Sequence, residues 1–125
     1  MAEERYFISL DNTYSVVRVV AHGNVSVEMG KKIISEARVF ASRHRLPILY
    51  DVTQAEVAAS PADWYAITKE LPVLTDLETR NIRVAILVSE ANRAQYEFYE
   101  TVAYNSGLLV KLFTSEQQAL AWLKK

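Results

Sequence analysis

The sequence predicts an α/β domain built on a single mixed, mostly parallel five-stranded sheet with four helices. Nearly continuous apolar runs, which are typical of strands buried on both faces, occur at residues 47–52, 82–88 and 108–113. Segments with helical apolar spacing lie between and after these runs. Two further strand-like segments precede the first helix. The predicted order is therefore β-β-α-β-α-β-α-β-α, with a parallel sheet formed through right-handed crossovers.

The chain is predicted to begin with an antiparallel hairpin. Residues 6–10 and 14–20 are rich in β-branched and aromatic side chains, and residues 11–13 between them favour a turn. The first strand of this hairpin should form an edge of the sheet. The second strand should end at His22 and Gly23, where glycine can adopt a positive φ.

The first helix is predicted from about Ser26 to His44, because apolar residues recur along it at helical spacing. Its charged side chains, Arg38 among them, are expected to fall largely off the apolar stripe. The basic residues 43–45 lie near its end, where positive charge complements the helix dipole.

Capping residues place the other three helices. Ser60 begins the second helix, with proline at the first helical position, and Pro72 should end or kink it. The third helix extends from Arg93 to about Tyr104. Residues 114–117 form a capping sequence for the final helix.

Two stretches are expected to be irregular. Residues 53–59 are predicted to be a loop or irregular passage, and residues 73–80 a connector with another helical turn that holds Leu74 and Leu77 inward. The chain contains no repeat, low-complexity segment or internal linker. Residues 1–125 are therefore expected to form one domain.

The composition restricts the classes of function. A formal net charge of −1 lacks the basic footprint of a general nucleic-acid binder. The absence of cysteine excludes thiolate nucleophiles, disulfides and Cys-based zinc sites. The charged residues 1–5 lack the apolar core of a signal peptide, and no apolar run approaches the ~18 residues that span a bilayer. We therefore expect a cytoplasmic protein without integral membrane association.

The closing sequence at residues 110–123 and the apolar run at residues 48–52 resemble parts of the SpoIIAA-like domains of the STAS superfamily. The closing sequence VKLFTSEQQALAWL at residues 110–123 is similar to the end of those domains, where a valine-rich strand, a Phe and a polar cap precede an Ala-Leu-Ala-Trp-Leu helix. The run at residues 48–52 is similar to the family's apolar strand that ends in an aspartate. The order of elements also agrees over nearly the whole chain. The resemblance implies a SpoIIAA-like fold and a regulatory or binding role.

The resemblance also implies one candidate phosphosite. Anti-sigma-factor antagonists of this superfamily carry an Asp-Ser-Ser/Thr-Gly motif whose hydroxyl a partner kinase phosphorylates. The corresponding residues 58–62 lack the aspartate and the glycine, and Pro61 adjoins the only serine, Ser60. A phosphate is favoured at a helix N-terminus, so Ser60 is a candidate. The alternative is a simple N-cap, which stabilises a helix by about 1 kcal/mol.

The most informative candidate site is aromatic. The third predicted helix carries Tyr96 and Tyr99 in one row, and the second carries Trp64 and Tyr65. If these helices are neighbours, a groove lined by rings with phenol tips lies between them. Arg93, beside this row, is a candidate for binding a carboxylate or phosphate of a ligand. The alternatives are an ordinary core with half-exposed tyrosines and a solvated arginine.

His22 and Asp51 are the candidate acid–base pair. Both are expected near carboxyl ends of strands, where α/β sheets place their ligand crevice. The alternative is that backbone hydrogen bonds satisfy both side chains. The chain has no glycine-rich phosphate loop and no metal-ligand spacing, so neither a cofactor nor a metal is expected.

Three functions are consistent with the sequence. The preferred one is a non-enzymatic binding or regulatory module that acts through a protein partner or as a homodimer. The second is a carrier or sensor of an apolar or nucleotide-like small molecule, with Trp64, Tyr65, Arg93, Tyr96, Tyr99 and Asp51 as candidate contacts. The third, an enzyme that uses His22 and Asp51, is the least favoured. No nucleic-acid partner is expected.

Overall fold

The computed structural model describes residues 5–125, and the first residues of the charged N-terminal stretch lie outside them. These residues form one mixed sheet of five strands, which follow one another across the sheet in chain order. The strands are β1 (Arg5–Asp11), β2 (Val16–Val25), β3 (Ile48–Val57), β4 (Val84–Leu87) and β5 (Val110–Phe113). β1 pairs antiparallel with β2 and the other neighbours pair in parallel, so the predicted hairpin, edge strand and mixed sheet are confirmed.

Six helices occur in the described residues, two more than the sequence predicted. They are α1 (Val27–His44), α2 (Pro61–Glu70), α3 (Pro72–Thr75), α4 (Leu77–Arg80), α5 (Arg93–Asn105) and α6 (Glu116–Leu123). The additional helices, α3 and α4, are four residues long and fall in the predicted connector. The predicted α/β class is confirmed.

The two faces of the sheet are covered unequally. α1, α2, α3 and α5 pack over one face, where the larger hydrophobic cluster lies. α6 covers part of the other face, where Leu120 and Leu123 pack with Leu49 and Ala85. Because both faces of β3 and β4 are therefore buried, these strands have apolar runs without polar alternation.

β3 continues beyond the apolar run that predicted it. Residues 53–57, expected to be a loop, extend the strand and pair with β2. Val20 lies opposite Asp51 and His22 opposite Gln54, so β3 has one more residue than β2 between these pairs. This bulge interrupts the alternation of side chains, which explains why the sequence pattern missed the extension.

Long-range hydrogen bonds position the two short helices. Arg38 donates through Nη1 to the carbonyl oxygens of Thr79, at 2.8 Å, and Arg80, at 3.4 Å, at the end of α4. The Thr79 hydroxyl donates to the Val73 carbonyl, and Arg80 donates to the Ser106 carbonyl, both at 2.7 Å. Single helical turns are unstable in isolation, so these contacts account for α3 and α4.

Two placements that the sequence predicted are wrong. Leu77 was expected to face inward with Leu74, but Leu77 is 76% exposed whereas Leu74 is buried. Arg38 was expected off the apolar stripe of α1, but it is only 1% exposed. Arg38 follows Ile34 by four residues, at the margin of that stripe, and its hydrogen bonds to α4 explain how a charged side chain there is buried.

α5 supports the sheet edge formed by β5. The Glu100 carboxylate on α5 accepts a hydrogen bond from the Leu112 backbone N–H at 2.8 Å. This amide points away from β4, so a side chain within the chain satisfies an outward-pointing group of the edge strand.

Candidate functional site

An apolar cavity of about 70 Å³ lies on the larger core face, between α1 and the contacting helices α2 and α5. β2, β3 and β4 contribute to its floor. Its wall includes Val25, Gly30, Tyr50, Trp64, Tyr96 and Tyr99. Val25 and Val57, which also lines it, are the last residues of β2 and β3. The cavity is therefore near the carboxyl ends of parallel strands, where α/β sheets commonly bind ligands.

Trp64 and Tyr99 form the wall of the cavity at the α2–α5 contact. Their ring centroids are 4.7 Å apart, their planes are tilted by 37°, and both side chains are buried. The two helices are neighbours, as the proposed groove required. However, the two rings pack against each other, so they form one side of the cavity and do not line a groove between α2 and α5.

Hydrogen bonds attach the start of α5 to β3. The Asn92 side-chain amide donates to the carbonyl oxygens of Val52, at 2.7 Å, and Ala55, at 3.0 Å. The Tyr96 hydroxyl donates to the Ala55 carbonyl at 3.1 Å. Burial raises the pKa of Tyr96 above its usual range, and the nearby charge of Glu56 adds to the rise. The position of Tyr96 in the cavity wall is therefore set by its own hydrogen bond.

Two buried polar groups, one in the cavity wall and one on α1, lack hydrogen-bond partners. Tyr50 lines the cavity with an exposure of 8%, and its hydroxyl oxygen has no partner. Arg38 uses Nη1 to bond α4, but its Nε has no acceptor. None of the ion pairs found in residues 5–125 includes Arg38. Unsatisfied buried donors are rare in native proteins, so the pair calls for an explanation.

The charge of Arg38 reaches two hydroxyls of the cavity wall. Burial raises the pKa of both Tyr50 and Tyr99, and the nearby Arg38 guanidinium opposes the rise in each case. The two phenols therefore keep their protons at neutral pH and can donate hydrogen bonds. Neither Tyr50 nor Arg38 was among the site residues predicted from the sequence.

Tyr65 and Arg93, which the sequence placed in the same site, lie elsewhere. Tyr65 is 58% exposed, and the Lys69 ammonium lies 5.6 Å from its ring centroid. The Arg93 Nε lies 3.7 Å from the Glu97 carboxylate on the surface of α5. The guanidinium beside the buried rings belongs to Arg38.

His22 and Asp51 are not joined by a hydrogen bond in the described part of the chain. The Asp51 carboxylate accepts hydrogen bonds from the Thr53 N–H, at 3.1 Å, and the Thr53 hydroxyl, at 2.7 Å. The exposed His22 ring packs edge-on against Phe7, with centroids 6.5 Å apart. Asp51 follows Leu49 by two residues along β3, so both face the side of the sheet that carries α6, and Asp51 does not face the cavity.

Ser60 caps α2 through a reciprocal pair of hydrogen bonds. Its hydroxyl accepts from the Asp63 N–H at 3.2 Å, and the Asp63 carboxylate accepts from the Ser60 N–H at 2.8 Å. The predicted N-cap is thus present. Phosphorylation of Ser60 stays a prediction, and the adjacent carboxylate would repel the added phosphate.

The remaining described surface offers weaker candidates. A larger depression of about 760 Å³ lies at the amino ends of the strands, where Pro47, Arg83 and Leu109 precede β3, β4 and β5. It is mostly polar, and Tyr50 is not among its lining residues. No cluster of His, Asp or Glu in residues 5–125 could hold a metal ion. None of the helices in that range is long and apolar enough to cross a membrane.

Comparisons with known proteins identify the fold and the family. The sequence matches none of the curated proteins. An uncharacterised DUF3478-family protein with a SpoIIAA-like fold, from Shewanella loihica PV-4, is similar in structure, with a TM-score of 0.64 and 18% identity over 98% of this chain and 97% of that chain. The SpoIIAA-like fold that the sequence resemblance implied is confirmed. A family model described as "Domain of unknown function (DUF7793)" matches residues 9–125, so this chain belongs to the DUF7793 family.

Proposed function

We propose that this domain binds a small apolar molecule in the cavity between α1 and the α2–α5 pair. The observation that carries the proposal is an apolar space near the carboxyl ends of β2 and β3, walled by Trp64, Tyr96 and Tyr99. Ligand sites are typically concave and mostly apolar, with a few convergent polar groups. Protein cores otherwise contain few voids larger than a water molecule.

Gly30 supports this proposal. It lies inside α1, where glycine costs about 1 kcal/mol relative to alanine. A Cβ at this position would meet only Val25, at 4.0 Å, which is ordinary van der Waals contact. Packing therefore does not require glycine. Because Gly30 lines the cavity, the missing side chain leaves space for a ligand.

The volume of the cavity limits what it accepts without movement. It measures about 70 Å³, whereas an engineered apolar cavity of about 150 Å³ binds benzene. A ligand of benzene size or larger thus requires α1 and the α2–α5 pair to separate slightly. Such a ligand stabilises the folded chain by an amount that grows with its concentration relative to its Kd.

Titration with straight-chain primary alcohols, from butanol to decanol, tests this function. Trp64 lines the cavity and Trp122 lies on α6 across the sheet, so Trp122→Phe leaves Trp64 as the fluorescent reporter. We expect a saturable change in Trp64 fluorescence and a Tm that rises with alcohol concentration.

Two substitutions at Gly30 provide the matched comparison. Gly30→Leu should abolish the fluorescence change because its side chain fills the cavity. Gly30→Ala, which also favours the helix but adds one methyl group, should retain it. Absence of saturable binding in the parent protein, or equal binding in both variants, would contradict the proposal.

Association with a second copy of the chain is the second candidate function. The helices α2 and α5 contact each other. Tyr65 on α2 is 58% exposed, and Phe98 on α5 is 43% exposed. Aromatic residues are enriched at protein interfaces. The formal net charge of −1 means that two copies repel each other little. Such a homodimer would act as a non-enzymatic regulatory module.

Sedimentation velocity over a range of protein concentrations tests self-association. We expect a monomer–dimer equilibrium that Tyr65→Ser combined with Phe98→Ser weakens about tenfold or more, since truncation of an aromatic anchor commonly costs that much. Tyr104→Ser is the control, because Tyr104 is also exposed, at 77%. A parent protein that stays monomeric at every concentration rules this function out.

A further inference from the structure

We infer that the molecule bound in this cavity is a small apolar carboxylic acid, whose carboxylate is held by the hydroxyl of Tyr50 and the guanidinium of Arg38. The inference rests on the proposed function and adds the chemical class of the ligand. The observation behind it is a pair of buried donors without partners: Tyr50 Oη in the wall of an otherwise apolar cavity, and Nε of Arg38, whose charge acts on Tyr50 and Tyr99 in that wall.

The buried polar groups set the charge and the hydrogen-bonding character of the ligand. A buried guanidinium without an anion is costly, and Arg38 is 1% exposed with no carboxylate among its ion-pair partners in the described residues. Its hydrogen bonds there go to the neutral carbonyl groups of Thr79 and Arg80 and to the neutral hydroxyl of Tyr99. An anionic ligand would supply the missing charge and accept the unused N–H.

The number of free donors favours a carboxylate. One hydroxyl and one N–H match its two oxygens, and hydrogen bonds between charged partners are stronger than neutral ones. Tyr96 is already committed to the Ala55 carbonyl, so it adds no free donor. A phosphate would bring further oxygens against walls formed by Ile33 and Ile86, where nothing satisfies them.

The protonation of the phenols agrees with this arrangement. Burial raises the pKa of Tyr50, so its hydroxyl keeps its proton and can donate a hydrogen bond to a carboxylate. The remaining wall, which includes Val25, Ile34 and Trp64, offers only apolar surface to the rest of the ligand. The site thus combines one anion-binding end with an apolar remainder.

The test compares straight-chain carboxylates with primary alcohols of the same chain length, at about neutral pH, where a carboxyl group is ionised. Trp64 fluorescence in the Trp122→Phe background reports binding of both series. We expect each carboxylate to bind about tenfold or more tightly than its alcohol, since a hydrogen bond to a charged group is worth that factor.

Tyr50→Phe decides whether the hydroxyl binds the carboxylate, because it removes a single oxygen from the wall. We expect a loss of carboxylate affinity of about tenfold, with alcohol affinity changed less than about twofold. Without ligand, the same variant should have a Tm about 3 °C higher, since an unsatisfied buried hydroxyl is removed. Tyr65→Phe, at an exposed tyrosine, is the matched control and should change neither quantity.

Arg38→Met removes the charge and retains much of the volume, and Arg93→Met is its control at a surface arginine. Because Arg38 also donates a hydrogen bond to α4, the circular-dichroism spectrum and Tm of Arg38→Met are measured to show whether the variant is folded. Equal affinity for acids and alcohols, or a Tyr50→Phe variant that keeps the preference for acids, overturns this inference and leaves apolar binding intact. Failure of both series to bind overturns the proposed function as well.

Discussion

Trp64→Ala is expected to lower the free energy of unfolding by about 3–5 kcal/mol, the usual cost of removing a buried aromatic side chain. Trp64 is 6% exposed, and its ring lies 4.7 Å from that of Tyr99, centroid to centroid. The truncation removes the ring contact between α2 and α5 and enlarges a cavity that the structure already contains. Urea denaturation, followed by far-ultraviolet circular dichroism, measures the loss.

Tyr65→Ala is the matched control for this prediction. Tyr65 adjoins Trp64 in the sequence but is 58% exposed, so its replacement should change stability by no more than about 0.5 kcal/mol. A Trp64→Ala variant as stable as this control would contradict the packing of α2 against α5. Because Trp64→Ala destabilises the fold, a loss of binding in this variant would not show that Trp64 contacts the ligand.

Raising the pH above about 10 is expected to destabilise the domain steeply. Tyr50, Tyr96 and Tyr99 are buried, and burial raises the folded-state pKa of all three. In the unfolded chain these tyrosines lose their protons near pH ~10, whereas the folded chain retains them. The unfolded state then binds fewer protons, so stability falls as pH rises. Each tyrosine contributes a slope of about 1.4 kcal/mol per pH unit until its folded-state pKa is reached.

Urea denaturation at intervals between about pH 8 and about pH 11 measures this dependence. Tyr50→Phe or Tyr99→Phe should each reduce the slope of unfolding free energy against pH by the contribution of the tyrosine that is removed. Tyr104→Phe, at a tyrosine 77% exposed, should leave the slope unchanged. A slope that none of the buried tyrosines alters would show that other groups cause the alkaline transition.

Elements with a strong local pattern could be predicted from the sequence. Ser26 and Ser60 each accept a hydrogen bond from a backbone N–H three residues later, so the predicted starts of α1 and α2 are accurate. The sheet interior was equally clear, because strands covered on both faces have uninterrupted apolar runs. The third predicted helix, from Arg93 to about Tyr104, is α5, which ends at Asn105; Gly107 follows with φ = 79°.

Elements that depend on distant contacts could not be predicted. The bulge in β3 is defined by the pairing of Asp51 and Gln54 with residues of β2, and the sequence of β3 alone does not show this pairing. α3 and α4 are too short to show periodicity, and the side chains that fix them come from residues as distant as Arg38 and Ser106. Local propensity says nothing about either contact.

The residues of the candidate site also fall into those that local sequence patterns identified and those that they missed. Trp64, Tyr96 and Tyr99 were identified because three large aromatic residues fall at helical spacing on two segments. Tyr50 and Arg38 were missed, the first because it lies within an apolar strand and the second because a lone arginine on a helix is usually solvated. The spacing of four residues between Ile34 and Arg38 was the one local signal that Arg38 adjoins the core.

The carboxylate of Glu100 also determines how this sheet can grow. An incoming strand from another molecule would need the Leu112 amide at the β5 edge, and Glu100 already occupies that donor. β1, at the opposite edge, lies beyond the reach of α5. An intermolecular sheet, including a fibrillar one, would therefore nucleate on β1, and two copies related by a two-fold axis would join through antiparallel β1 strands.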